Sequence, residues 1–143
     1  MIDKGENNID YIKLSIPNKA EYVSVVRLTT SAIASRMGFD IEEIEDIKVS
    51  IAEACTSTLE NSLDNQNIDI EFGVFEDKLV ISVKGTGGVR DIDNTKELKL
   101  DDIGQGGLGI FIINSLMDEV ETINNGEEGT EIRMTKYIKD DIV

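Results

Sequence analysis

The chain has 143 residues, with 14 Lys and Arg against 29 Asp and Glu, one cysteine and no histidine. Its formal net charge of −15 disfavours direct binding to nucleic acid or anionic lipid, because an acidic surface repels phosphate groups. Without histidine it can supply no histidine nucleophile, general base, metal ligand or phosphohistidine. A hydrophobic content of 40% predicts one domain with a buried core, and no apolar run approaches the ~18 residues of a membrane span.

Cysteine usage and the N-terminal sequence bear on the cellular compartment. The lone Cys55 cannot form an internal disulfide, and the polar N-terminus lacks the apolar segment of a signal peptide. Both features predict a cytoplasmic protein without a membrane partner. We expect a flexible N-terminus over 1–10, one domain over 11–139 and a short tail over 140–143.

The first half of the chain predicts one strand followed by two helices. Alternating apolar residues indicate a strand over 11–17. A capping-box pattern, Asn18 with Glu21, predicts the start of a helix that ends at the C-cap Gly38. A second capping box, Asp40 with Glu43, begins a helix that persists to about Leu63. Its apolar stripe follows helical spacing through Ile44, Ile47, Ile51 and Ala54.

The second half predicts a hairpin, a long connection, a short helix and two more strands. Strands over 68–75 and 79–83 flank the turn Glu76-Asp77. A polar, glycine-punctuated connection follows over 85–107, then a helix over 108–117. Strands over 119–124 and 131–138 flank the turn Asn125-Gly126. These elements predict an α+β fold in which the helices cover one face of a mixed, mostly antiparallel sheet.

Three stretches resemble the GHKL ATPase family, specifically its RsbW and SpoIIAB anti-sigma branch. They are 44–56 (IEDIKVSIAEACT), 104–120 (GQGGLGIFIINSLMDEV) and 134–137 (MTKY). The resemblance implies a Bergerat-type α/β sandwich that binds ATP and Mg²⁺ and forms a homodimer. It also implies an anti-sigma factor that sequesters a sigma factor and phosphorylates an anti-anti-sigma (STAS-type) protein on serine, in stress response or sporulation.

Glu53 and Ser57 are four residues apart, so they lie on one face of the second helix. A carboxylate there can accept a proton from an attacking hydroxyl or hold the water around Mg²⁺, although a solvent-exposed Glu on an amphipathic helix fits the same pattern. The resemblance implies that Glu53 is the catalytic base. Ser57 stands where the family has a metal-binding asparagine, so it is a weak candidate Mg²⁺ ligand.

Glycines make up most of the predicted nucleotide site. In the family an aspartate receives the adenine amino group, and here Gly85 stands in its place, while Gly87 preserves the glycine that follows. The later glycines can bring the backbone close to phosphate oxygens at a helix N-terminus. The segment between, 89–103, is acidic and shorter than the family's ATP lid. The predicted cofactor-binding residues are Ser57, Gly85, Gly87, Gly104, Gly106, Gly107, Leu108 and Gly109.

Arg27 matches the first-helix arginine with which SpoIIAB-like proteins contact sigma factor and anti-anti-sigma partner. From the sequence alone it is either a snorkelling residue at the edge of the core or an interface residue. Two functions remain open: an anti-sigma factor that is also a serine kinase, and a kinase-dead module that only binds its partners. A nucleotide-binding domain of another GHKL branch is a third, less favoured reading, because sensor kinases require a histidine.

Overall fold

The computed structural model describes residues 8–61, 66–85, 108–124 and 129–139, and every structural statement below refers to them. Five strands form one sheet in the order β1-β2-β3-β5-β4. All neighbouring strands pair antiparallel, so the α+β prediction is confirmed with a sheet that is antiparallel throughout the described strands. The strands are β1 (Asn8–Pro17), β2 (Asn67–Phe75), β3 (Lys78–Gly85), β4 (Glu119–Asn124) and β5 (Thr130–Tyr137).

Three α-helices accompany the sheet: α1 (Val23–Met37), α2 (Ile41–Asn61) and α3 (Leu108–Leu116). Gly38 ends α1 as predicted, with φ at 96° and its N–H donating to the carbonyls of Ala34 and Ser35. None of the described helices is long and apolar enough to cross a membrane. The predicted turn at Asn125-Gly126 and most of the predicted connection lie outside the described residues.

The two predicted capping boxes have different outcomes. At α2 the Asp40 carboxylate accepts from the Glu43 N–H at 2.7 Å, and the Glu43 carboxylate accepts from the Asp40 N–H at 3.0 Å. At α1 the prediction is wrong, because a 3₁₀ turn over Ala20–Tyr22 precedes the helix, which begins at Val23 without a side-chain cap. Strand β1 also begins three residues earlier than predicted, at Asn8.

The core lies between the helices and one face of the sheet. Alternate residues of β2 and β3 point to this face and are fully buried: Ile68, Ile70, Phe72, Leu79, Ile81 and Val83. Helix α2 contributes Ile47, Ile51, Ala54 and Cys55, all without exposed surface. Burial raises the pKa of the Cys55 thiol to about 12, so this cysteine is a small core residue rather than a nucleophile.

Replacing Asp40 with alanine tests the α2 capping box. We expect Asp40→Ala to lower the free energy of unfolding by about 1 kcal/mol, because the Glu43 N–H loses its acceptor. Urea denaturation followed by circular dichroism measures the change. The control Glu42→Ala removes a carboxylate from the same first turn and should cost less than about 0.5 kcal/mol. Equal losses in the two variants would contradict the capping role.

Candidate functional site

Glu53 on α2 and Gly109 on α3 lie directly against each other. A methyl group at Gly109 would sit 3.1 Å from Glu53 Oε2 and 3.9 Å from its Cβ. Contacts this short are rare for a real Cβ, so a side chain at residue 109 would require the Glu53 carboxylate to shift by a few tenths of an ångström. The structure thus brings together two residues that the sequence analysis assigned to separate motifs.

The other predicted residues of α2 extend the site along the helix. Ser57 lies one turn beyond Glu53, and both are partly buried. The Thr58 hydroxyl forms a hydrogen bond within the helix, donating to the Ala54 carbonyl at 2.8 Å. Ser50, three residues before Glu53, is fully buried, and its Oγ has no partner among the described residues. Sequence reasoning missed Ser50, although a polar residue inside the apolar stripe of α2 was a detectable irregularity.

The nucleotide-binding glycines are only partly described. Gly85 is the last residue of β3, is buried, and pairs with Ile68 of β2. A glycine there offers no side-chain acceptor. Leu108 begins α3 and is 49% exposed. The remaining predicted glycines, Gly87, Gly104, Gly106 and Gly107, lie outside the described residues, as does the acidic segment 89–103.

Charged side chains do not build a metal centre in the described part of the chain. No group of three or more Asp, Glu, Cys or His residues there could hold an ion. Glu131 of β5 lies on the sheet face turned away from Glu53. Burial raises the pKa of Glu131, but the hydrogen bond from Ser82 and the charge of Arg133 outweigh it and lower the pKa overall.

Arg27 is exposed and lies at the edge of the buried face of α1, because Thr30 and Ala34, three and seven residues further on, are buried. Two apolar side chains of the same helix are also exposed, Val25 at 42% and Leu28 at 71%. Arg27 forms no ion pair with any described residue. Both interpretations of Arg27, as a snorkelling residue and as an interface residue, predict an exposed side chain at this position.

Comparison with known proteins identifies the class to which this fold and site belong. Residues 16–136 match the family described as histidine kinase-like ATPase domain. The solved RsbU and RsbW domains of Rv1364c from Mycobacterium tuberculosis match 89% of this chain and 31% of that chain, with a TM-score of 0.63 at 15% identity, which shows the shared fold.

Curated relatives narrow the class. The serine-protein kinase RsbW of Bacillus subtilis is 40% identical over 93% of this chain and 89% of its own length. RsbW of Oceanobacillus iheyensis is 40% identical over 96% of this chain and 92% of its own. The chain belongs to the RsbW-like anti-sigma factor family.

A double-mutant cycle tests the contact between Glu53 and Gly109. Alanine at 109 gains up to about 1 kcal/mol of helix propensity but forces the Glu53 carboxylate to move. We therefore expect Gly109→Ala to raise the free energy of unfolding more in a Glu53→Ala background than in the parent, by at least about 0.5 kcal/mol. Urea denaturation of the four proteins measures this coupling. Additive effects would mean that the two residues do not constrain each other.

Proposed function

We propose that the protein is an anti-sigma factor that sequesters an alternative sigma factor of the sigma-B or sigma-F type and also binds an anti-anti-sigma protein. The carrying observation is a group of exposed side chains at the start of α1, namely Tyr22 just before the helix and Val25, Arg27 and Leu28 within it, here called the α1 surface. Exposed aromatic and apolar side chains together with an arginine have the composition of an interface hot spot. The membership of the RsbW-like family supports this assignment.

The second part of the proposal is ATP-dependent phosphorylation of the anti-anti-sigma protein on serine. Glu53 would accept the proton of the attacking serine hydroxyl, and its position beside the first turn of α3 supports this role. The unpaired N–H groups of that turn can bind phosphate oxygens. Bound Mg²⁺ would neutralise charge on the transferred phosphoryl group. Ser57 on α2 would be a protein ligand of this Mg²⁺, and phosphate oxygens and water would complete the coordination.

A kinase-dead binding module is the alternative, and specific residues favour it. Gly85 is buried yet offers no carboxylate to adenine, and Ser57 offers a shorter polar group than the family's asparagine. A hydrogen bond to a buried charged acceptor contributes about 1.5–3 kcal/mol, so ATP affinity would fall by roughly one to two orders of magnitude. The α1 surface contains neither residue, so sigma-factor binding survives in both versions.

The remaining parts of the proposal come from the family, for the homodimer, and from composition and sequence pattern, for the rest. We infer a homodimer in the cytoplasm, organised as one domain over 11–139, with no direct contact to nucleic acid or membrane. The net charge of −15 agrees with protein partners that present basic surfaces.

Alanine at Arg27 tests the α1 surface. We expect Arg27→Ala to weaken capture of a purified sigma-B-type factor at least tenfold without lowering the melting temperature, since the side chain is exposed. A pull-down and a thermal melt are run together. The matched control is Arg36→Ala, which removes another exposed arginine of the same helix. Unchanged capture by Arg27→Ala would reject the surface, and parallel loss of capture and melting temperature would make Arg27 structural.

Restoring the two family residues tests the nucleotide site. We expect Gly85→Asp combined with Ser57→Asn to tighten Mg·ATP binding at least tenfold, because both return a polar ligand worth about 1–3 kcal/mol. Isothermal titration calorimetry compares the double variant with the parent. Equal affinities would contradict the proposed role of both positions.

Mg·ATP binding by the parent protein distinguishes the kinase from the binding module. No heat at millimolar Mg·ATP in the parent would eliminate the kinase and leave the module. If the parent transfers phosphate to the anti-anti-sigma protein, Glu53→Ala should abolish transfer and leave sigma capture unchanged.

A further inference from the structure

Lys136 occupies a core position of β5. Ile132, Met134 and Lys136 alternate along the strand on the side that faces the helices, and Lys136 is only 6% exposed. Its partner on β3 is Leu79, a fully buried core residue. Burying an ammonium group is costly unless the group is paired, yet Lys136 forms no ion pair with any described residue. Another contact must therefore compensate the buried charge.

That contact is with the end of α3. The Nζ of Lys136 donates to the carbonyl of Leu116, the last residue of the helix, at 2.6 Å. The last carbonyls of a helix have no partner within it and carry the negative end of its dipole, so a cation is favourable there. The hydrogen bond thus satisfies the buried lysine and attaches the C-terminus of α3 to β5.

Two further hydrogen bonds join the same parts of the chain. β4 begins at Glu119, opposite Thr135, so the last two residues of β5 extend past it beside the junction of α3 and β4. The Asp118 N–H donates to the Thr135 carbonyl at 3.0 Å, and the Asp118 carboxylate accepts from the Tyr137 N–H at 2.7 Å. These two hydrogen bonds and that of Lys136 are here called the α3 clamp. Because β5 also pairs with β3, the clamp holds α3 to an interior strand of the sheet.

Side-chain packing fixes α3 less firmly than it fixes α2. The helix packs on α2 and β4. Within its described residues Ile113 is buried, whereas Leu108 and Phe111 are 49% and 68% exposed. A helix with little buried surface can shift along its axis at a small cost in apolar burial. Hydrogen bonds at its end therefore have a large share in setting its axial position.

The opposite end of α3 lies in the candidate site. A Cβ at Gly109 would be 3.1 Å from Glu53 Oε2, so the first turn of the helix is close to the carboxylate. From Gly109 to Leu116 the helix extends about 10 Å. Because a helix is stiff over this distance, a displacement at Leu116 moves Gly109 relative to Glu53.

We propose that Lys136 is a positioning residue for the nucleotide site and acts through α3. By holding the Leu116 carbonyl it sets the axial position of the helix, and with it the distance between the first-turn N–H groups and Glu53. The nucleotide part of this inference rests on the proposed kinase function, in which that turn binds phosphate oxygens. The contact between Glu53 and Gly109 needs no nucleotide, so the clamp can be tested on the protein alone.

The first test measures that contact in solution by NMR. Lys136→Met keeps an unbranched apolar side chain and removes the ammonium group. Glu53 Cβ lies 3.9 Å from the Cβ position of Gly109, so the parent should show an NOE between Glu53 Hβ and Gly109 Hα. We expect Lys136→Met to lose NOE intensity and to shift the Gly109 amide resonance. The matched control is Lys78→Met, on the other face of the same end of the sheet, which should change neither signal.

A second variant and a binding measurement extend the test. Asp118→Ala removes the side-chain hydrogen bond of the clamp at an exposed residue, and serves if Lys136→Met does not fold. It should change the same two signals in the same direction, by a smaller amount. In calorimetric titrations, Lys136→Met should bind Mg·ATP at least about threefold more weakly than the parent, and Lys78→Met should bind as the parent does.

Three results would overturn the proposal. Unchanged NOE and amide signals in folded Lys136→Met, or in Asp118→Ala if Lys136→Met does not fold, would show that the clamp does not position α3. Equal changes in Lys78→Met would assign them to the loss of any lysine near this end of the sheet. A displaced Gly109 with unaltered Mg·ATP affinity would reject the link to the nucleotide site. If the parent binds no Mg·ATP, the proposed kinase fails, whereas the clamp is still decided by the two NMR signals.

Discussion

Helix α2 packs against both the sheet and α3, and the geometry of the candidate site depends on these two contacts. Its buried stripe, which includes Ile47, Ile51 and Cys55, packs on the sheet, while Glu53 is directed towards α3. The carboxylate is therefore carried by an element whose rotation is fixed by core packing rather than by a loop. Gly109 completes the arrangement, since any larger residue would hold α3 further away or displace Glu53. The same packing that stabilises the domain thus sets the position of its candidate catalytic base.

Local sequence patterns predicted the elements well where the structure is itself local. The box of Asp40 and Glu43 formed because its two hydrogen bonds span one turn and need no other part of the chain. The similar pattern of Asn18 and Glu21 failed because a 3₁₀ turn occupies Ala20–Tyr22. Strand order, with β5 placed between β3 and β4, joins segments far apart along the chain. Periodicity within one segment carries no information about which other segment it pairs with.

In the candidate site, too, the sequence predicted the local features but not the long-range contacts. Spacing alone placed Glu53 and Ser57 on one helix face, but the resemblance to a family was needed to give them roles. The contact joins Glu53 and Gly109, which are more than fifty residues apart on two packed helices, and no local pattern encodes it. For Arg27 the sequence left two interpretations, and the exposure of its side chain agrees with both, because a snorkelling arginine also keeps its charged end in solvent. Ser50 was missed for a different reason. The sequence analysis treated the apolar stripe of α2 as continuous and overlooked this polar residue within it.

The layout of the domain explains how its partner-binding and nucleotide-binding parts could change independently. The α1 surface lies on a helix that does not contain Glu53, Ser57 or Gly85, and its exposed side chains contribute little to the core. Gly85 ends a strand whose pairing uses backbone groups, so loss of an aspartate there leaves the ladder to Ile68 intact. The loss of a ligand group that contributes about 1.5–3 kcal/mol has a large effect on nucleotide affinity. It has a smaller effect on the stability of a fold that is held by a continuous apolar core. Substitutions at Gly85 and Ser57 can therefore accumulate in such a chain without removing the α1 surface, through which we propose that it binds proteins.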